Sequence, residues 1–395
     1  MKYLSRILAS NHRSDGIHVL CYSEAWGQGG VETFLMSIFR RWQGKGFYFT
    51  LFSCWDWNLA LDAELEALGI DRFTVFPDSK PGQVKRLCEG SAAFGALINE
   101  IRPDAVYVNT MNGMGFLYSE VAQKHGVPVR VVHSHNSAFG SGQAVVKAVM
   151  HSFGRAAFGG SATVRLACSA DAGHYLFGAR PFEVVNNGID TSRFAFDPAA
   201  RTEIRSRFGI PQDTVLFGSV GRIAEAKNPL FQIRTFDEVL RAVPGAYYLM
   251  VGDGDMKGQV KALIRELGIN DRVIMPGYLP DPAPVYSALD CFLMPSLFEG
   301  LAIVCIEAQC AGCRIVCSEA LPPEAHVSDA EALLPLSAGE RAWAEKAVEM
   351  SYMDVDRPAY AASVREAGFD ADDTARIVAG VLIGGKNGAF VSSCG

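Results

Sequence analysis

The sequence lacks a long hydrophobic run, an excess of positive charge and a regular cysteine pattern. No stretch approaches the roughly 20 apolar residues that a membrane-spanning helix needs, and the segment MKYLSRILAS is too short and interrupted for a signal sequence. A formal net charge of -7 disfavours a nucleic-acid-binding protein, which normally carries a basic face. The ten cysteines follow no secretory spacing, so we expect reduced core residues and a cytoplasmic location.

The glycine pattern of a dinucleotide site, GxGxxG, is also missing after every strand-like run. Gly27, Gly29 and Gly30 nevertheless follow the first predicted strand and open the first predicted helix. Their backbone can approach a ligand closely and offer amides to it. A simple tight turn is the alternative interpretation of this short cluster.

Apolar runs instead alternate with helix-period segments from end to end. GIHVLCY precedes VETFLMSIFRRW, and FYFTLFSC precedes LALDAELEALG. Strands buried on both faces have this composition, and each intervening helix supplies the crossover that parallel neighbours require. The predicted fold class is therefore α/β, with doubly wound parallel sheets.

The length of the chain predicts two domains. A chain of 395 residues with 49% hydrophobic residues exceeds what one core usually covers. The strand–helix rhythm restarts after FEVVNNGID, where Asn-Asn-Gly suits a connection. We predict Rossmann-like domains over residues 1–186 and 187–370, and a C-terminal helix with a frayed tail over 371–395, the helix packing back on the first domain. Ligands bind beyond the carboxyl ends of such strands, which favours the cleft between the domains.

Two acids mark the candidate site in the second half. Glu299 and Glu307 stand eight positions apart in PSLFEGLAIVCIEAQCAG, where a strand gives way through Gly300 to a short helix. The first helical amides, near Leu301 and Ala302, would face an anion such as phosphate. Because acids repel phosphate unless they bind something else on the ligand, the pattern predicts a nucleotide sugar whose hydroxyls contact the carboxylates.

Two cations follow the first strand of the second half. Arg222 and Lys227 lie in SVGRIAEAKNP, on the loop that faces the predicted cleft. An Arg fork with a Lys point charge suits a diphosphate leaving group. Two solvated loop cations are the alternative.

Two histidines end a strand-like run of the first half. His133 and His135 alternate in VPVRVVHSHN, so both side chains leave the same face of an extended strand. One is expected to be buried and hydrogen-bonded, and the other to reach the ligand. Two ligands are fewer than a bound ion normally needs, which disfavours a metal site.

Four cysteines of the second half include a spacing that is found in iron–sulfur proteins. Cys305, Cys310, Cys313 and Cys317 include a C-x4-C-x2-C spacing, but a helix and a strand would hold the thiols apart, so packing is favoured over an iron–sulfur cluster.

Lys147, His151 and Arg155 recur every four residues in AVVKAVMHSFGRAAF. This stripe is either a solvated helix face or a contact with anionic lipid or a lipid-linked acceptor.

Taken together, these motifs resemble the retaining, GT-B-fold glycosyltransferases of family 4 (glycosyltransferase group 1), especially the branch that serves exopolysaccharide or capsular polysaccharide biosynthesis. The resemblance spans almost the whole chain and rests on GGVETFLMSIFRRW, VVHSHN, FEVVNNGID, VGRIAEAKN, LMVGDGD, VIMPGY and PSLFEGLAIVCIEAQ. It implies a GT-B fold of two Rossmann-like domains, the first binding the acceptor and the second the nucleotide sugar.

The resemblance also implies roles for individual residues. Glu307 would bind the ribose hydroxyls and Glu299 the donor sugar, while the base would lie near Tyr278. Catalytic roles would fall to His135, Glu299, Arg222 and Lys227, with His133 as a substitute for His135. The implied donor-binding residues are Gly29, Gly30, Arg222, Lys227, Tyr278, Leu279, Glu299, Gly300, Leu301, Ala302 and Glu307.

The expected activity is transfer of a hexose from a UDP- or GDP-sugar to a saccharide or lipid-linked saccharide acceptor, with retained configuration and no metal. Peripheral contact with an anionic membrane surface at its inner face is a further expectation. A nucleotide-sugar epimerase of the same fold and a non-catalytic sugar-nucleotide sensor are the alternatives. The segment MKYLSRILASNHRSD, the CAGC run and the tail GGKNGAFVSSCG depart from the family pattern.

Overall fold

The computed structural model describes residues 5–7, 16–27, 29–137, 144–299 and 302–386. The chain divides into two compact units. The first unit comprises Met1–Gly188 together with Ala371–Gly395, and the second unit comprises Ile189–Asp370. Each unit is built on one sheet with helices on both faces, so the predicted α/β class is confirmed.

The described part of the first unit contains one eight-stranded sheet. Its strands are β1 (Ser5–Ile7), β2 (Ile17–Trp26), β3 (Phe47–Asp56), β4 (Asp71–Phe76), β5 (Ala105–Thr110), β6 (Val129–Ser134), β7 (Val164–Ala167) and β8 (Glu183–Val184). They run in the order β1-β4-β3-β2-β5-β6-β7-β8. The β1–β4 pair is antiparallel, and the other neighbours are parallel. The accompanying helices are α1 (Gly30–Trp42), α2 (Asp62–Leu68), α3 (Gln83–Ile101), α4 (Phe116–Lys124), α5 (Ala144–Phe158) and α6 (Ala170–Phe177).

The second unit contains a six-stranded parallel sheet. Its helices are α7 (Thr191–Phe194), α8 (Pro198–Arg207), α9 (Pro229–Ala242), α10 (Lys257–Leu267), α11 (Ala283–Ala288), α12 (Ile303–Cys310), α13 (Gly339–Ser351) and α14 (Tyr360–Val364). Its strands are β9 (Leu216–Val220), β10 (Tyr247–Val251), β11 (Val273–Gly277), β12 (Cys291–Met294), β13 (Arg314–Ser318) and β14 (Glu331–Leu334). The strand order is β11-β10-β9-β12-β13-β14.

The last helix, α15 (Ala371–Lys386), belongs to the first unit. The indole Nε1 of Trp42 donates to the Ala375 carbonyl at 2.9 Å, and the hydroxyl of Thr374 donates to the Asn186 carbonyl at 2.9 Å. Val378 joins the apolar cluster that α1 forms on one face of the sheet. The chain therefore returns to its first unit after completing the second.

Alternation along β2 explains how the first sheet is covered on both faces. Val19 and Cys21 pack with α1 and α15, whereas Leu20 and Tyr22 pack with α3 and α4. All four side chains are buried. A strand that is buried on both faces reads as a continuous apolar run, which is why the sequence predicted it.

The carboxyl ends of β2 and β9 lie at topological switch points. The chain builds outward from β2 to β3 on one side and to β5 on the other, and it builds from β9 to β10 and β12 in the same way. In open α/β sheets, ligands bind at these positions. Gly29 and Arg222 follow the two central strands directly.

The cysteines of the second unit are packing residues. Cys305, Cys310, Cys313 and Cys317 are buried and unbridged. Within the described ranges, no group of three or more His, Cys, Asp or Glu side chains could hold a metal ion. No helix in that part of the chain is both long enough and apolar enough to cross a membrane.

Candidate functional site

A pocket at the carboxyl ends of β9 and β12 brings the two predicted cations together. Arg222 and Lys227 line it with Met294 and with Val304 of α12. Arg222 is exposed, and it forms no ion pair with any described residue. Its guanidinium is therefore available to an anionic ligand.

Lys227 and Glu299 form an ion pair that the sequence did not predict. The Lys227 Nζ lies 2.5 Å from Glu299 Oε1, and the Glu299 side chain is only 8% exposed. The backbone amide of Leu297 donates to the Ala226 carbonyl at 2.8 Å, which aligns the two loops. Because an ammonium has three donors, Lys227 can hold Glu299 and still contact a phosphate oxygen.

Glu307 lies on α12 and is held by a tyrosine. The Tyr286 hydroxyl of α11 donates to Glu307 Oε2 at 2.6 Å. Burial raises the pKa of Glu307 to about 7, while the Tyr286 hydrogen bond and the charge of Arg193 act in the opposite direction. One carboxylate oxygen is thus fixed in place, and the group is poised between its neutral and ionised forms near neutral pH.

The entry into α12 contains an unusual backbone conformation. Ala302 has φ 53° and ψ 58°, in the left-handed region. For an L-residue this conformation costs roughly 1–2 kcal/mol, and strained residues of this kind cluster at ligand sites. Ala302 is buried in the apolar cluster of the second unit, which holds it there. The neighbouring predicted residues Gly300 and Leu301 lie outside the described residues.

Tyr278 and Leu279 follow β11 at the same edge of the second sheet. Tyr278 is 52% exposed, whereas Leu279 is buried in the core. The tyrosine ring is therefore the one of the two that can stack on a base. Neither residue lines the pocket that contains Arg222.

In the first unit, some of the backbone amides predicted to bind phosphate already have a hydrogen-bond partner within the protein. The carboxylate of Glu32, the third residue of α1, hydrogen-bonds the backbone of Gly29, and burial raises its pKa. A Cβ at Gly29 would lie 2.6 Å from Glu32 Oε2, so a side chain there would displace the Glu32 carboxylate. Gly30 has open space where a side chain would be. The helix is thus capped by an acid three residues later, as in a capping box.

His133 and His135 lie at the end of β6 with their rings 4.1 Å apart between centroids. His133 is fully buried, and its Nδ1 lies 2.7 Å from the Tyr107 hydroxyl. His135 is half-buried beyond the strand, with Nε2 2.9 Å from Asn109 Oδ1. Because this amide oxygen only accepts, Nε2 carries the hydrogen and Nδ1 is the free acceptor.

Both histidines are neutral over the physiological range. Burial lowers the pKa of His135 to about 3, and burial, together with the repulsion that a protonated His135 would exert, lowers the pKa of His133 well below its usual range. The Nδ1 atom of His135 has no hydrogen-bond partner among the described residues. A neutral ring with an unoccupied acceptor suits a sugar hydroxyl.

The predicted basic stripe of α5 is not the exposed face of the helix. His151 is buried, and its Nδ1 accepts a hydrogen bond from the Gly113 amide at 3.0 Å. The exposed stripe is apolar instead, with Val145, Val149 and Phe153 exposed by 77%, 62% and 56%. The sequence periodicity separates a basic face of α5 from an apolar face. It does not show which of the two faces packs against the turn at Gly113.

Sequence reasoning missed the residues that position the acids and the histidine. Tyr286 holds Glu307, and Asn109 orients His135. Asn109 could have been found, because a polar residue at the carboxyl end of an apolar strand is a usual ligand-side position. Tyr286 gave no signal, since one tyrosine in a short helix looks like a core residue.

Two family models and several known glycosyltransferases match this chain. Residues 200–346 match the family described as Glycosyl transferases group 1, and residues 28–193 match Glycosyltransferase Family 4. EpsF from Bacillus subtilis (strain 168), named as a glycosyltransferase, is 29% identical over 77% of this chain and 79% of its own length. The UDP-Gal:alpha-D-GlcNAc-diphosphoundecaprenol alpha-1,3-galactosyltransferase of Escherichia coli is 28% identical over 34% of this chain and 36% of its own length.

Among solved structures, HepE of Anabaena in complex with UDP and glucose has a TM-score of 0.71. It is 20% identical, and the match covers 92% of this chain and 99% of that protein. At this identity the likeness shows the fold. The two family matches together span most of residues 28–346. The chain therefore belongs to the GT-B glycosyltransferases of group 1 and family 4, and it is an enzyme of the hexosyltransferase type.

Proposed function

We propose that the protein transfers a sugar from a nucleotide-diphosphate donor to a saccharide acceptor with retained anomeric configuration, in the synthesis of an exopolysaccharide or capsule. The observation that carries this proposal is the grouping of an exposed arginine, a Lys–Glu pair and a buried acid in the second unit. Arg222 is free for phosphate, Lys227 positions Glu299, and Tyr286 positions Glu307.

In this proposal the second unit holds the donor and the first unit holds the acceptor. Arg222 and Lys227 bind the diphosphate, Glu307 accepts hydrogen bonds from the ribose hydroxyls, and Glu299 binds the donor sugar. The exposed ring of Tyr278 contacts the base. Amides near Ala302 and Gly30 supply further phosphate donors, as helix N-termini commonly do.

The reaction is leaving-group departure followed by attack on the same face. The bond between the anomeric carbon and the diphosphate oxygen breaks, and the acceptor oxygen bonds to that carbon. The acceptor proton passes to the departing phosphate oxygen, so no side chain becomes covalently attached. Arg222 and Lys227 stabilise the charge that develops on the diphosphate, an effect worth about 2.7–4 kcal/mol for one donor. His135 accepts a hydrogen bond from the transferred sugar at Nδ1.

The names of related proteins support this choice of substrates. HepE was solved with UDP and glucose, and the name of the Escherichia coli relative specifies UDP-galactose and a diphosphoundecaprenol-linked sugar. We therefore infer a UDP- or GDP-sugar donor and a lipid-linked saccharide acceptor. We propose that the reaction needs no metal, because Arg222 and Lys227 supply positive charge for the diphosphate.

We also propose that α5 contacts the inner face of a membrane. Val145, Val149 and Phe153 form an exposed apolar stripe, and Lys147 and Arg155 flank it in half-buried positions. Apolar side chains flanked by cations are typical of helices that lie in the membrane interface. Such contact would bring the first unit to a lipid-linked acceptor.

The direct test is to identify the donor and then the product anomer. A thermal-shift screen with UDP-, GDP- and ADP-sugars should raise the melting temperature with one nucleotide class, because a ligand of the native state stabilises it. Proton NMR of the product should show the anomeric configuration of the donor. Inversion would contradict the retaining mechanism, conversion of donor without acceptor would indicate an epimerase, and binding without turnover would indicate a sensor.

A further inference from the structure

Lys227 lies on a connection that has little regular structure of its own. It ends a single turn of 3₁₀ helix, Glu225–Lys227, and the next residue, Asn228, has φ 50° and ψ 52°, in the left-handed region. Helix α9 begins at Pro229, which has no amide hydrogen, and the Asn228 side chain does not cap the helix. Contacts from neighbouring elements therefore decide where the backbone of Lys227 lies.

Gln232, in the first turn of α9, holds the carbonyl of Lys227. Its Nε2 atom donates to that oxygen at 2.8 Å, and the Tyr248 hydroxyl donates to Gln232 Oε1 at 3.0 Å. Because a carbonyl oxygen only accepts, the amide nitrogen must face Lys227 and Tyr248 must be the donor. Both polar atoms of the Gln232 side chain are therefore used, and the orientation of the amide is fixed.

The other end of this contact is anchored in the core of the second unit. Tyr248 lies on β10 and is completely buried, and burial raises the pKa of its hydroxyl, so it remains a neutral donor. Its ring packs against Phe236 of α9 with centroids 5.2 Å apart. Gln232 itself is only 5% exposed. One buried side chain thus connects a well-packed part of the fold to the backbone of Lys227.

An amide is an unusual side chain on the buried face of α9. Apart from Gln232 and Thr235, the buried residues of this helix are apolar. They are Pro229, Ile233, Phe236 and Val239. Burying an amide is unfavourable unless its hydrogen bonds are made, whereas a leucine would complete the apolar face. The two hydrogen bonds are therefore the property that distinguishes Gln232 at this position.

The ammonium of Lys227 has two partners, so its placement matters. Its Nζ lies 2.5 Å from Glu299 Oε1, and in the proposed function it also contacts the diphosphate. Gln232 lines the same pocket as Lys227 and Arg222. A displacement of about 1 Å in a reacting group can cost roughly 100-fold in rate. A shift of the Lys227 backbone would move the ammonium away from one of its partners.

We propose that Gln232 is a positioning residue, whose amide fixes the Lys227 backbone so that the ammonium reaches Glu299 and the β-phosphate of the donor together. The inference rests on the proposed function, because it takes Lys227 as a ligand of the diphosphate. It adds a residue that acts through Lys227 rather than on the donor itself.

Calorimetric titration of nucleotides into the full-length protein tests this role. UDP, GDP and ADP are each compared with UMP, GMP and AMP, and the ratio of the two affinities measures the contact with the β-phosphate. The wild type should prefer one diphosphate by about tenfold or more, since charge-assisted hydrogen bonds hold the extra phosphate. Gln232→Leu should lower this preference by about threefold or more, the value of one lost hydrogen bond.

A second substitution shows whether Gln232 acts through Lys227. In the Lys227→Ala background, Gln232→Leu should not lower the diphosphate preference further, because residues that act through one contact are not additive. A structural effect that reaches the site by another route would lower the preference equally in both backgrounds. That result would overturn the positioning role.

Gln232→Glu provides a readout that depends on the donated hydrogen bond. A neutral carboxyl can donate to Lys227 and accept from Tyr248 as the amide does, whereas an ionised carboxylate cannot donate. Burial raises the pKa of a carboxyl group. Relative to the wild type at the same pH, the diphosphate preference of this variant should be weak at pH 8 and should recover at pH 5.5. A preference that is equally weak at both pH values would contradict the donated hydrogen bond.

A matched control lies in the first unit. Gln43 makes the same kinds of contact, because its Nε2 donates to the Gly69 carbonyl at 3.3 Å and its Oε1 accepts from the Phe49 amide at 3.0 Å. Gln43→Leu should lower the melting temperature but leave the diphosphate preference unchanged. If Gln232→Leu fails to fold, Tyr248→Phe removes only one hydroxyl and should still weaken the preference. An unchanged preference in Tyr248→Phe would then overturn the role.

The two proposals fail in different ways. If UDP, GDP and ADP all fail to bind the wild type, the donor assignment in the second unit is wrong, and the role of Gln232 falls with it. If one diphosphate binds with the expected preference and Gln232→Leu leaves that preference unchanged, Gln232 is only a structural residue and the donor assignment stands.

Discussion

The two units differ in how they satisfy the polar groups at the ends of their central strands. In the second unit the acids are already partnered, Glu299 by Lys227 and Glu307 by Tyr286. In the first unit, Nδ1 of His135 is buried without a hydrogen-bond partner in the described part of the chain. The acids of the second unit are therefore held in place before a ligand binds, whereas the histidine of the first unit keeps one acceptor unsatisfied.

The largest expected effect comes from removing the cations of the second unit. Arg222→Ala should lower kcat by about 100- to 1,000-fold, since one lost donor to a developing charge costs about 2.7–4 kcal/mol. Its melting temperature should not change, because Arg222 is exposed. Lys227→Ala should lose similar activity and also stability, since it leaves the buried Glu299 carboxylate unpaired.

Lys346→Ala is the control for this experiment, because Lys346 pairs with the exposed Glu349 on α13. It should behave like the wild type in both assays. Activity of Arg222→Ala within threefold of the wild type would remove the diphosphate assignment.

The next largest effect concerns the apolar stripe of α5 in the first unit. Val149→Glu combined with Phe153→Glu should reduce co-sedimentation with phosphatidylglycerol-containing vesicles at least tenfold, because burying one such side chain is worth roughly 1.5–3 kcal/mol. Ile377→Glu combined with Ile383→Glu on α15 introduces the same two charges at other exposed apolar positions and is the matched control. Equal vesicle binding by all variants would leave the stripe without a membrane role.

A smaller effect should appear in the pH dependence of donor binding. Burial raises the pKa of Glu307 to about 7, and the ionised carboxylate is the better acceptor for ribose hydroxyls. With about one molecule in ten ionised at pH 6, calorimetric affinity for the donor should be about tenfold weaker at pH 6 than at pH 8. Glu307→Gln should flatten this dependence.

The raised pKa of Glu307 also predicts that the stability of the ligand-free protein falls as the pH rises, whereas its affinity for the donor increases. The pKa of Glu307 in the folded state lies above the ordinary value of 4.5. The stability that the protonated carboxyl contributes is therefore fully present below pH 4.5, and it is lost as the pH rises through about 7. The melting temperature of the ligand-free wild type should therefore fall relative to Glu307→Gln between pH 5 and pH 8. Parallel curves for the two proteins would contradict the raised pKa.

The smallest expected effect is at His135. His135→Ala should raise the barrier by about 0.5–1.5 kcal/mol, or roughly two- to tenfold in kcat, the value of one neutral hydrogen bond. Since burial lowers the pKa of His135 to about 3, the pH–rate profile of the wild type should show no limb from this residue between pH 5 and pH 9. His125→Ala, on the surface of the same unit, should be silent. A profile limb near pH 6.5 that disappears in His135→Ala would contradict this role.

The sequence predicted the sheets because strands buried on both faces leave continuous apolar runs such as that of β2. It predicted Arg222, Lys227 and Glu299 as site residues because these residue types follow strands of the second unit, and the structure brings the three close together. It could not show that Lys227 pairs with Glu299, a contact between residues 72 positions apart. It also did not mark Glu32 as the cap of α1, since the usual capping-box signature begins with Ser, Thr, Asp or Asn and here the N-cap is Gly29.

The sequence revealed less about the first unit, because the groups that meet at its strand ends come from separate elements. Asn109 on β5 orients His135 beyond β6, and no continuous motif records this contact. The prediction that the basic stripe is the exposed face of α5 was also wrong. Charged residues at four-residue spacing are as compatible with a packed helix face as with a solvated one. Only the contact between His151 and Gly113 decides between them.

Calorimetric titration of UDP, GDP and ADP into the wild type, Arg222→Ala and Glu307→Ala tests the central claim most directly. We predict that one nucleotide binds the wild type at one site per chain and binds each variant at least tenfold more weakly, with Lys346→Ala unchanged. Absence of binding by all three nucleotides, or equal affinity in the wild type and both site variants, would contradict the assignment of the donor to the second unit.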